Sequence, residues 1–324
     1  MEDPHVGERA PAIVSFIVPV NVEVGIRLPH GLLRQGPDAL AGFADSVEAA
    51  AIDRVWTGDH VSFKGGKGYD GLLASMAIAA HTRRVTVQTA VYLLPLRHPL
   101  PVARQVAGIA ELAPGRFVFG VGIGGEDPAE VANCGVDPST RGRRMDASLA
   151  LLRRLLAGEV VNHDAVFPME QAMIRPTPAP FPPIVVGGRS HAALRRAGCL
   201  GEGWLGVWVA PDRFASSVAT VERAADEAGR AAVAWQHGFL AWCGLGASEV
   251  DGRAALAPAM SAFYGLPFER FERSSPCGTP DQVAEALLPY VRAGATSILL
   301  SPIAADPAVV VAGVARIRTL LREA

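Results

Sequence analysis

The sequence predicts an α/β protein built as a single (β/α)8 barrel, the TIM barrel, with insertions. Short apolar, β-branched runs alternate with amphipathic stretches rich in Ala, Leu and Arg along nearly the whole chain, a pattern typical of βα units repeated around a parallel sheet. Eight such runs can be counted. The 324 residues, 50% of them hydrophobic, suit one large core, because barrels of this kind routinely use about 250 residues or more as one domain.

The eight predicted strands are spaced so that a helix fits between most neighbours. They cover residues 12–18, 54–57, 85–93, 116–121, 184–186, 203–207, 238–243 and 297–300. The predicted helices cover residues 37–50, 71–81, 99–112, 140–157, 190–200, 211–228, 280–292 and 307–321. Several helix starts carry capping signals, as at Thr279-Pro280-Asp281, where Thr caps, Pro takes the first turn and Asp favours the positive end of the helix dipole.

Two segments depart from this alternation, and both are predicted to be excursions from one domain that spans residues 1–324. Residues 158–182 are Pro-rich and broken into strand-like pieces, which favours a hairpin. Residues 247–275 contain the aromatic residues Phe263, Tyr264, Phe268 and Phe271. Because long insertions after barrel strands often lie over the active site, we expect this segment to cover the mouth of the site.

Composition and charge exclude several classes of protein. The 30 Lys and Arg residues against 32 Asp and Glu residues give a net charge of -2 without a basic stripe, so no nucleic-acid partner is expected. No apolar run reaches the roughly 18 residues of a membrane span, and the N-terminal residues lack a signal-peptide pattern. The four widely spaced cysteines predict a reduced, cytoplasmic compartment and no cysteine-based metal site, and the histidines form no metal-binding pair.

The run from Trp56 to His60 carries the first candidate chemistry. A predicted strand ends here and then presents Asp59 beside His60, at the strand end where a barrel places its reactive groups. Imidazole titrates near neutral pH, so His60 is a candidate proton donor or acceptor, and Asp59 either orients it or anchors the loop. The alternative is that Asp59 caps the next segment and His60 is an ordinary loop residue.

The glycine-rich stretch at residues 115–125 is the second candidate. Gly120, Gly122 and Gly125 satisfy the pattern G-x-G-x-x-G, which keeps a nicotinamide-dependent, Rossmann-type dehydrogenase open as a hypothesis. A dinucleotide fingerprint opens directly into a helix, whereas Glu126-Asp127-Pro128 follows here. We therefore interpret the glycines as a place where the backbone approaches a flat ligand, with a tight turn as the alternative.

The third candidate is the turn that follows the predicted strand at residues 184–186. It delivers two glycines, a cation and a hydroxyl to the start of a helix: Gly187, Gly188, Arg189 and Ser190. Free backbone N–H groups and the positive end of the helix dipole make such a turn a natural phosphate site. The alternative is that Ser190 is simply the N-cap of the helix.

Five blocks of this sequence resemble the bacterial luciferase-like family in residues, order and spacing. They lie at residues 56–60, 89–99, 115–125, 141–146 and 183–190, and the similarity runs from about residue 13 to the segments at 278–283 and 293–296, which is most of the chain. The family comprises FMN-dependent monooxygenases and oxidoreductases that use the deazaflavin coenzyme F-420, all on a (β/α)8 barrel with insertions. The resemblance implies an oxidoreductase that acts on a small organic substrate, and it implies a homodimer.

The resemblance also implies which residues hold the cofactor. In the family, the third strand carries a bulge with a non-proline cis peptide that presses on the middle ring of the flavin, and the corresponding residues are Ala90 and Val91. The wall along the flavin corresponds to Gly122, Ile123, Gly124 and Gly125. The turn near its phosphate or tail corresponds to Gly187, Gly188, Arg189 and Ser190.

The resemblance assigns the reacting side of the site as well. Asp59 and His60 correspond to an Asp–His pair that the deazaflavin-dependent members place at the reacting ring. The substrate would then lie between that ring, His60 and apolar groups such as Trp56. The sugar-phosphate dehydrogenases of the family carry a Trp four residues beyond the His, where this chain has Lys64, so glucose 6-phosphate is not expected.

Two observations favour the deazaflavin coenzyme over FMN. One is the Asp59-His60 pair, and the other is a composition rich in Ala, Gly, Arg and Pro and poor in Lys, typical of the high-GC genomes that often encode deazaflavin enzymes. With the deazaflavin, the reaction is hydride transfer to or from carbon with His60 as proton partner. With reduced FMN, it is activation of O₂ and oxygenation of a substrate. A non-catalytic flavin-binding or interaction protein remains the hypothesis from a different class.

Overall fold

The computed structural model describes residues 21–29, 31–125, 127–230 and 232–324, and the elements named below lie within them. The strands are β1 (Glu23–Arg27), β2 (Arg54–Thr57), β3 (Thr86–Thr89), β4 (Tyr92–Leu93), β5 (Phe117–Gly122), β6 (Val161–His163), β7 (Met169–Ala172), β8 (Ile184–Gly187), β9 (Gly203–Val207), β10 (Gly238–Leu245), β11 (Cys277–Gly278) and β12 (Ser297–Ala304). The α-helices are α1 (Pro37–Ala49), α2 (Gly71–His81), α3 (Pro99–Leu112), α4 (Pro128–Asn133), α5 (Arg141–Leu156), α6 (His191–Leu200), α7 (Pro211–Glu227), α8 (Glu249–Tyr264), α9 (Pro280–Arg292) and α10 (Val310–Glu323).

The main sheet closes into a barrel of parallel strands. Its order is β1, β2, β3, β5, β8, β9, β10 and β12, and β12 pairs again with β1. The predicted (β/α)8 barrel is therefore confirmed. A Rossmann sheet is open, so the Rossmann-type dehydrogenase that the glycine pattern kept open is wrong.

The first barrel strand was placed too early by the sequence pattern. The predicted strand at residues 12–18 lies outside the described residues, and the position between β2 and β12 is taken by Glu23–Arg27. Residues 12–18 are the more apolar run, whereas β1 carries a charged residue at each end. The charge at its start is compensated, because the Glu23 carboxylate accepts a hydrogen bond from Nε of Arg54 at 2.6 Å.

The barrel strands are buried on both faces, which explains why most of them read as continuous apolar runs. β5 and β10 are buried at every residue. Inside the barrel the strands contribute one apolar cluster that includes Val118, Val185, Leu240 and Leu299. Outside it they pack against the apolar faces of the surrounding helices. None of the helices in the described ranges has both the length and the apolar character that crossing a membrane requires.

The two predicted excursions differ in structure. Residues 158–182 contain β6 and β7, which pair antiparallel with each other and not with the barrel. Residues 247–275 contain α8, a helix that the sequence analysis missed because Gly252 and Pro258 interrupt its pattern. Gly252 is needed where α8 packs on β10, and Leu256 and Met260 are buried in the same cluster as the barrel interior. α8 therefore lies across one end of the barrel.

Candidate active site

A cavity of about 560 Å³ lies at the carboxyl ends of the barrel strands. All of the residues predicted to form the site line this one cavity: Trp56, Asp59, His60, Ala90, Val91, Gly122, Ile123, Gly124, Gly125, Gly187, Gly188, Arg189 and Ser190. They come from the ends of β2, β3, β5 and β8, which are neighbours in the barrel. This is the position at which barrel enzymes carry their active sites.

The wall of the cavity at β3 contains the predicted cis peptide. β3 ends at Thr89, and the bond between Ala90 and Val91 is cis, as the family resemblance implied. The Val91 side chain lies against two of the predicted cofactor glycines. A Cβ atom on Gly122 would lie 2.4 Å from Val91, and one on Gly187 would lie 2.8 Å from it. These two glycines are therefore needed to admit Val91, a contact that the sequence pattern does not reveal.

The turn after β8 combines a helix cap with a cavity wall. Gly188 has a φ of +127°, a conformation that favours glycine. Oγ of Ser190 accepts a hydrogen bond from the backbone N–H of Ala193 at 3.2 Å, so Ser190 is the N-cap of α6, the alternative noted above. The guanidinium of Arg189 lies 5.4 Å from the centre of the Trp208 ring. The amino end of α6 and a cation thus meet at the cavity, an arrangement suited to a phosphate group.

Asp59 does not orient His60. Its carboxylate accepts hydrogen bonds from the backbone N–H groups of Gly71 and Leu93, both at 2.9 Å, and from Nη2 of Arg97 at 2.9 Å. Burial raises the pKa of Asp59, and the Arg97 guanidinium opposes that shift. Of the two roles open for Asp59, the structure gives the loop anchor, and the orienting role is wrong, because the carboxylate is bound to Arg97 and backbone N–H groups while Nδ1 of His60 is bound to Glu130.

The carboxylate that holds His60 is Glu130, in the first turn of α4. Its Oε2 lies 3.0 Å from Nδ1 of His60, and its Oε1 accepts the backbone N–H groups of Val61 at 2.7 Å and Ser62 at 3.0 Å. The Glu130 side chain is 3% exposed, whereas that of His60 is 23% exposed. A carboxylate only accepts hydrogen bonds, so Nδ1 carries the hydrogen in this pair and Nε2 is the atom that can exchange a proton. The ring of Phe63 stacks on the imidazole at 4.2 Å.

Several cavity residues were not predicted from the sequence. Among them are Arg27, Glu130, Arg141, Trp208 and Trp242. A signal existed for two of them. Arg141 stands in one of the blocks that resemble the family, and Asp127-Pro128 is a helix-start pattern that places Glu130 in the first turn of a helix.

The end of α8 supplies aromatic side chains to the cavity. Phe263 and Tyr264 line it, and the Tyr264 hydroxyl accepts a hydrogen bond from Nε1 of Trp242 at 3.0 Å. The side chain of Lys64, at the position where the sugar-phosphate dehydrogenases carry Trp, donates to the backbone oxygen of Tyr264. The loop after β2 is therefore tied to the end of α8 beside the cavity.

Comparison with known proteins gives one family. Residues 20–260 match the family described as luciferase-like monooxygenase. The chain is 31% identical over 253 residues to 4-hydroxyprotoasukamycin monooxygenase of Streptomyces nodosus subsp. asukaensis, covering 76% of this chain and 62% of that protein. It is 33% identical over 177 residues to the F420-dependent glucose-6-phosphate dehydrogenase of Nakamurella multipartita, covering 52% of each. The matches thus span between about half and two thirds of the length of these relatives.

Solved structures show the same fold. One of them, an F420-dependent secondary alcohol dehydrogenase in complex with an F420-acetone adduct, superimposes with a TM-score of 0.79. The superposition covers 92% of this chain and 98% of that one, at 20% sequence identity. At that identity the likeness establishes the fold alone.

Proposed function

The chain belongs to the luciferase-like monooxygenase family, and from that membership we propose that it is an oxidoreductase that transfers a hydride between the deazaflavin coenzyme and a small organic substrate. The observation that carries the proposal is the position of His60. It lies in the same cavity as the Ala90–Val91 peptide, and Glu130 holds it with Nε2 left to exchange a proton. Hydride transfer to a carbonyl carbon needs such a group, because the oxygen must gain a proton.

The cavity has the features that a phosphorylated flavin or deazaflavin requires. Ala90 and Val91 would contact the flat ring on one face, and the backbone of residues 122–125 would lie along it. The N–H groups of Gly188 and Ser190, at the amino end of α6, would bind the phosphate together with Arg189. Such a cofactor, when bound, accepts or supplies two electrons as a hydride.

The residues of the chain would transfer the proton, position the imidazole and exclude water. His60 gives or takes the proton at Nε2, and Glu130 fixes the tautomer that makes this possible. Asp59, with Arg97, holds the turn that carries His60. The apolar side chains that line the cavity, including Trp56, exclude water from the substrate.

Oxygenation with reduced FMN is the second candidate. It is favoured by the relative that matches the largest share of the chain among those compared above, the monooxygenase of Streptomyces nodosus. The same cavity residues would hold FMN, since the two cofactors share the flat ring system and a phosphate. In that case a reduced flavin would activate O₂, and His60 would serve the proton transfers.

Three further features belong to the proposal. Residues 247–275 cover the mouth of the site, which the lining residues Phe263 and Tyr264 support. The protein forms a homodimer, supported by the exposed Leu73 and Leu112 on the outer helices α2 and α3. It works in the cytoplasm, since the four cysteines are all free thiols.

A cofactor titration tests the proposal. The purified chain is titrated with the deazaflavin coenzyme, FMN and NADH while tryptophan fluorescence is recorded. We expect the deazaflavin to bind tightest and NADH not to saturate. Tightest binding of FMN, with turnover that consumes O₂, would replace the first candidate by the second. If neither the deazaflavin nor FMN binds, both candidates are wrong.

A pair of glycine variants ties the binding to this cavity. Gly188→Val should weaken the phosphorylated cofactor by about tenfold or more, because valine disfavours a φ of +127° and an added Cβ would lie 2.8 Å from Ala193. Gly229→Val is the matched control, since Gly229 also has a positive φ but follows α7, with nothing within 4 Å of an added Cβ. Equal weakening in both variants would place the phosphate elsewhere.

A further inference from the structure

The imidazole of His60 has contacts of two kinds, one at an edge and one at a face. At the edge, Nδ1 lies 3.0 Å from Oε2 of Glu130. At the face, the ring of Phe63 stacks with its centre 4.2 Å from the imidazole centre and its plane tilted by 26°. The edge contact sets the tautomer in the proposed function, whereas the face contact has no role there.

A hydrogen bond at Nδ1 does not by itself fix the plane of an imidazole. The χ2 torsion of histidine is broad, because it joins an sp³ carbon to an sp² carbon, and hydrogen bonds tolerate angles well below linear. The ring can therefore rock about its Nδ1 contact and carry Nε2 to a new direction. A flat partner against the face of the ring opposes this motion, since rocking either opens a gap or forces the two rings together.

Phe63 is held firmly enough to be such a partner. Its side chain is 1% exposed. Its backbone N–H donates to the carbonyl oxygen of Lys67 at 2.8 Å, and its own carbonyl accepts the N–H of Lys67 at 2.9 Å. The N–H of Lys64 donates at 2.8 Å to Asp127, the N-cap of α4. The Phe63 ring also lies 5.3 Å from that of Phe263, near the end of α8, so backbone hydrogen bonds and ring contacts both restrain it.

Building on the proposed function, we propose that Phe63 is a positioning residue for the proton transfer, and that its ring holds the plane of the His60 imidazole so that Nε2 keeps one direction. Glu130 sets which nitrogen carries the hydrogen, and Phe63 sets where the other nitrogen points. The alternative is that Phe63 only fills space under the loop after β2. That alternative predicts a loss of stability without a change in the mobility of the imidazole.

NMR relaxation of the imidazole carbons tests the proposal on the intact chain, without cofactor or substrate. Histidine is labelled, and His60→Ala identifies the signal among the eight histidines. We expect an order parameter of about 0.85 for the His60 ring in the unmodified protein, the value of a rigid group, and less than about 0.6 in Phe63→Leu, which removes the flat face. A mobile ring in the unmodified protein would overturn the proposal, and so would a ring that stays rigid in Phe63→Leu.

Phe167→Leu is the matched control. Phe167 is 2% exposed, its ring lies edge-on to that of His98 at 5.4 Å, and the described lining of the cavity does not include it. The variant therefore removes an equally buried phenylalanine from contact with a histidine elsewhere in the chain. The order parameter of His60 should not change. An equal fall in both variants would show a general loosening of the fold and would contradict a specific role for Phe63.

Turnover tests the consequence for proton transfer, with the cofactor that binds and a substrate it turns over. Phe63→Leu should lower kcat about tenfold and leave KM and cofactor affinity within about twofold, because a misdirected group reduces rate rather than binding. In a His60→Ala background the same change should cost less than about twofold, since Phe63 acts through the imidazole. An unchanged kcat, or a tenfold loss that persists without His60, would overturn the proposal.

The two measurements also separate this proposal from the one on which it rests. The order parameter requires no bound cofactor, so it reports on Phe63 and His60 whatever the reaction is. A chain that binds neither the deazaflavin nor FMN but loses the rigidity of His60 in Phe63→Leu would count against the proposed function alone. A chain that binds one of them, with an imidazole that Phe63→Leu leaves rigid, would count against the role of Phe63 alone.

Discussion

Two buried carboxylates lie beside the cavity, and they differ in what they hold. Asp59, in the turn after β2, is bound to Arg97 and to backbone N–H groups that fix the path of the chain. Glu130, in the first turn of α4, is bound to the imidazole of His60. One carboxylate therefore supports the structure around the site, and the other holds His60, the residue proposed to exchange a proton.

Two residues that are adjacent in the sequence at the end of a strand therefore need not interact with each other. β2 ends at Thr57, and in the loop beyond it Asp59 is bound to Arg97 whereas His60 is bound to Glu130. The partner of His60 is supplied by a helix 70 positions further along the chain. The Asp–His pair predicted from the sequence is thus two separate pairs, Asp59 with Arg97 and His60 with Glu130.

Asp59→Asn should have the largest effect, and the effect should be on stability. The change leaves the largely buried Arg97 guanidinium without its main counter-ion, which we expect to lower the free energy of unfolding by about 3 kcal/mol. Urea unfolding measures it. Asp70→Asn is the control, because Asp70 is a second and more exposed partner of Arg97 at 3.2 Å. A larger loss in Asp70→Asn than in Asp59→Asn would contradict the assignment of Asp59 as the anchor.

His60→Ala should act on turnover instead. We expect the steady-state rate, measured with the cofactor that binds and a substrate it turns over, to fall by about 100-fold, because a positioned acid or base typically contributes that much. Cofactor affinity should stay within a few fold, and the free energy of unfolding should change less than in Asp59→Asn. Unchanged turnover across the pH range would show that His60 is an ordinary loop residue.

The sequence predicted the parts of the fold that local signals determine. α2, α3 and α9 begin and end at the predicted residues, and caps such as Asp70, His98 and Thr279 explain why. The sequence pattern did not predict β1 or α8, because the contacts that stabilise their unfavourable residues are made with other parts of the chain. The charge of Glu23 is satisfied by Arg54 on the next strand, and the glycine inside α8 is needed for contact with β10.

The candidate site also has a part that local sequence predicts and a part that only the folded barrel brings together. Its glycine walls are contiguous in sequence and were predicted residue by residue, with all of the predicted residues lining the cavity. Four elements, β1, β2, β10 and α8, contribute one or two further lining residues each: Arg27, Trp56, Trp242, Phe263 and Tyr264. No motif can mark a set of that kind, because the contacts that define it exist only once the barrel is closed.

Glu130→Gln should have the smallest of the three effects, about tenfold in turnover, which is typical for a group that acts through another. The glutamine carbonyl can still accept the N–H groups of Val61 and Ser62, so the loop keeps its anchor. Its amide would donate to Nδ1 of His60, which moves the imidazole hydrogen to Nε2. We expect nitrogen NMR of the imidazole to report this change of tautomer, and the pH profile of turnover to shift with it.

The double variant His60→Ala/Glu130→Gln separates that electronic role from a structural one. If Glu130 acts only by setting the tautomer of His60, the glutamine should cost less than about twofold once the imidazole is gone, since the two residues then work as one unit. If Glu130 acts by holding Val61 and Ser62, the tenfold loss should persist in the absence of His60. The second outcome would make Glu130 a loop anchor like Asp59, and the contrast between the two carboxylates would disappear.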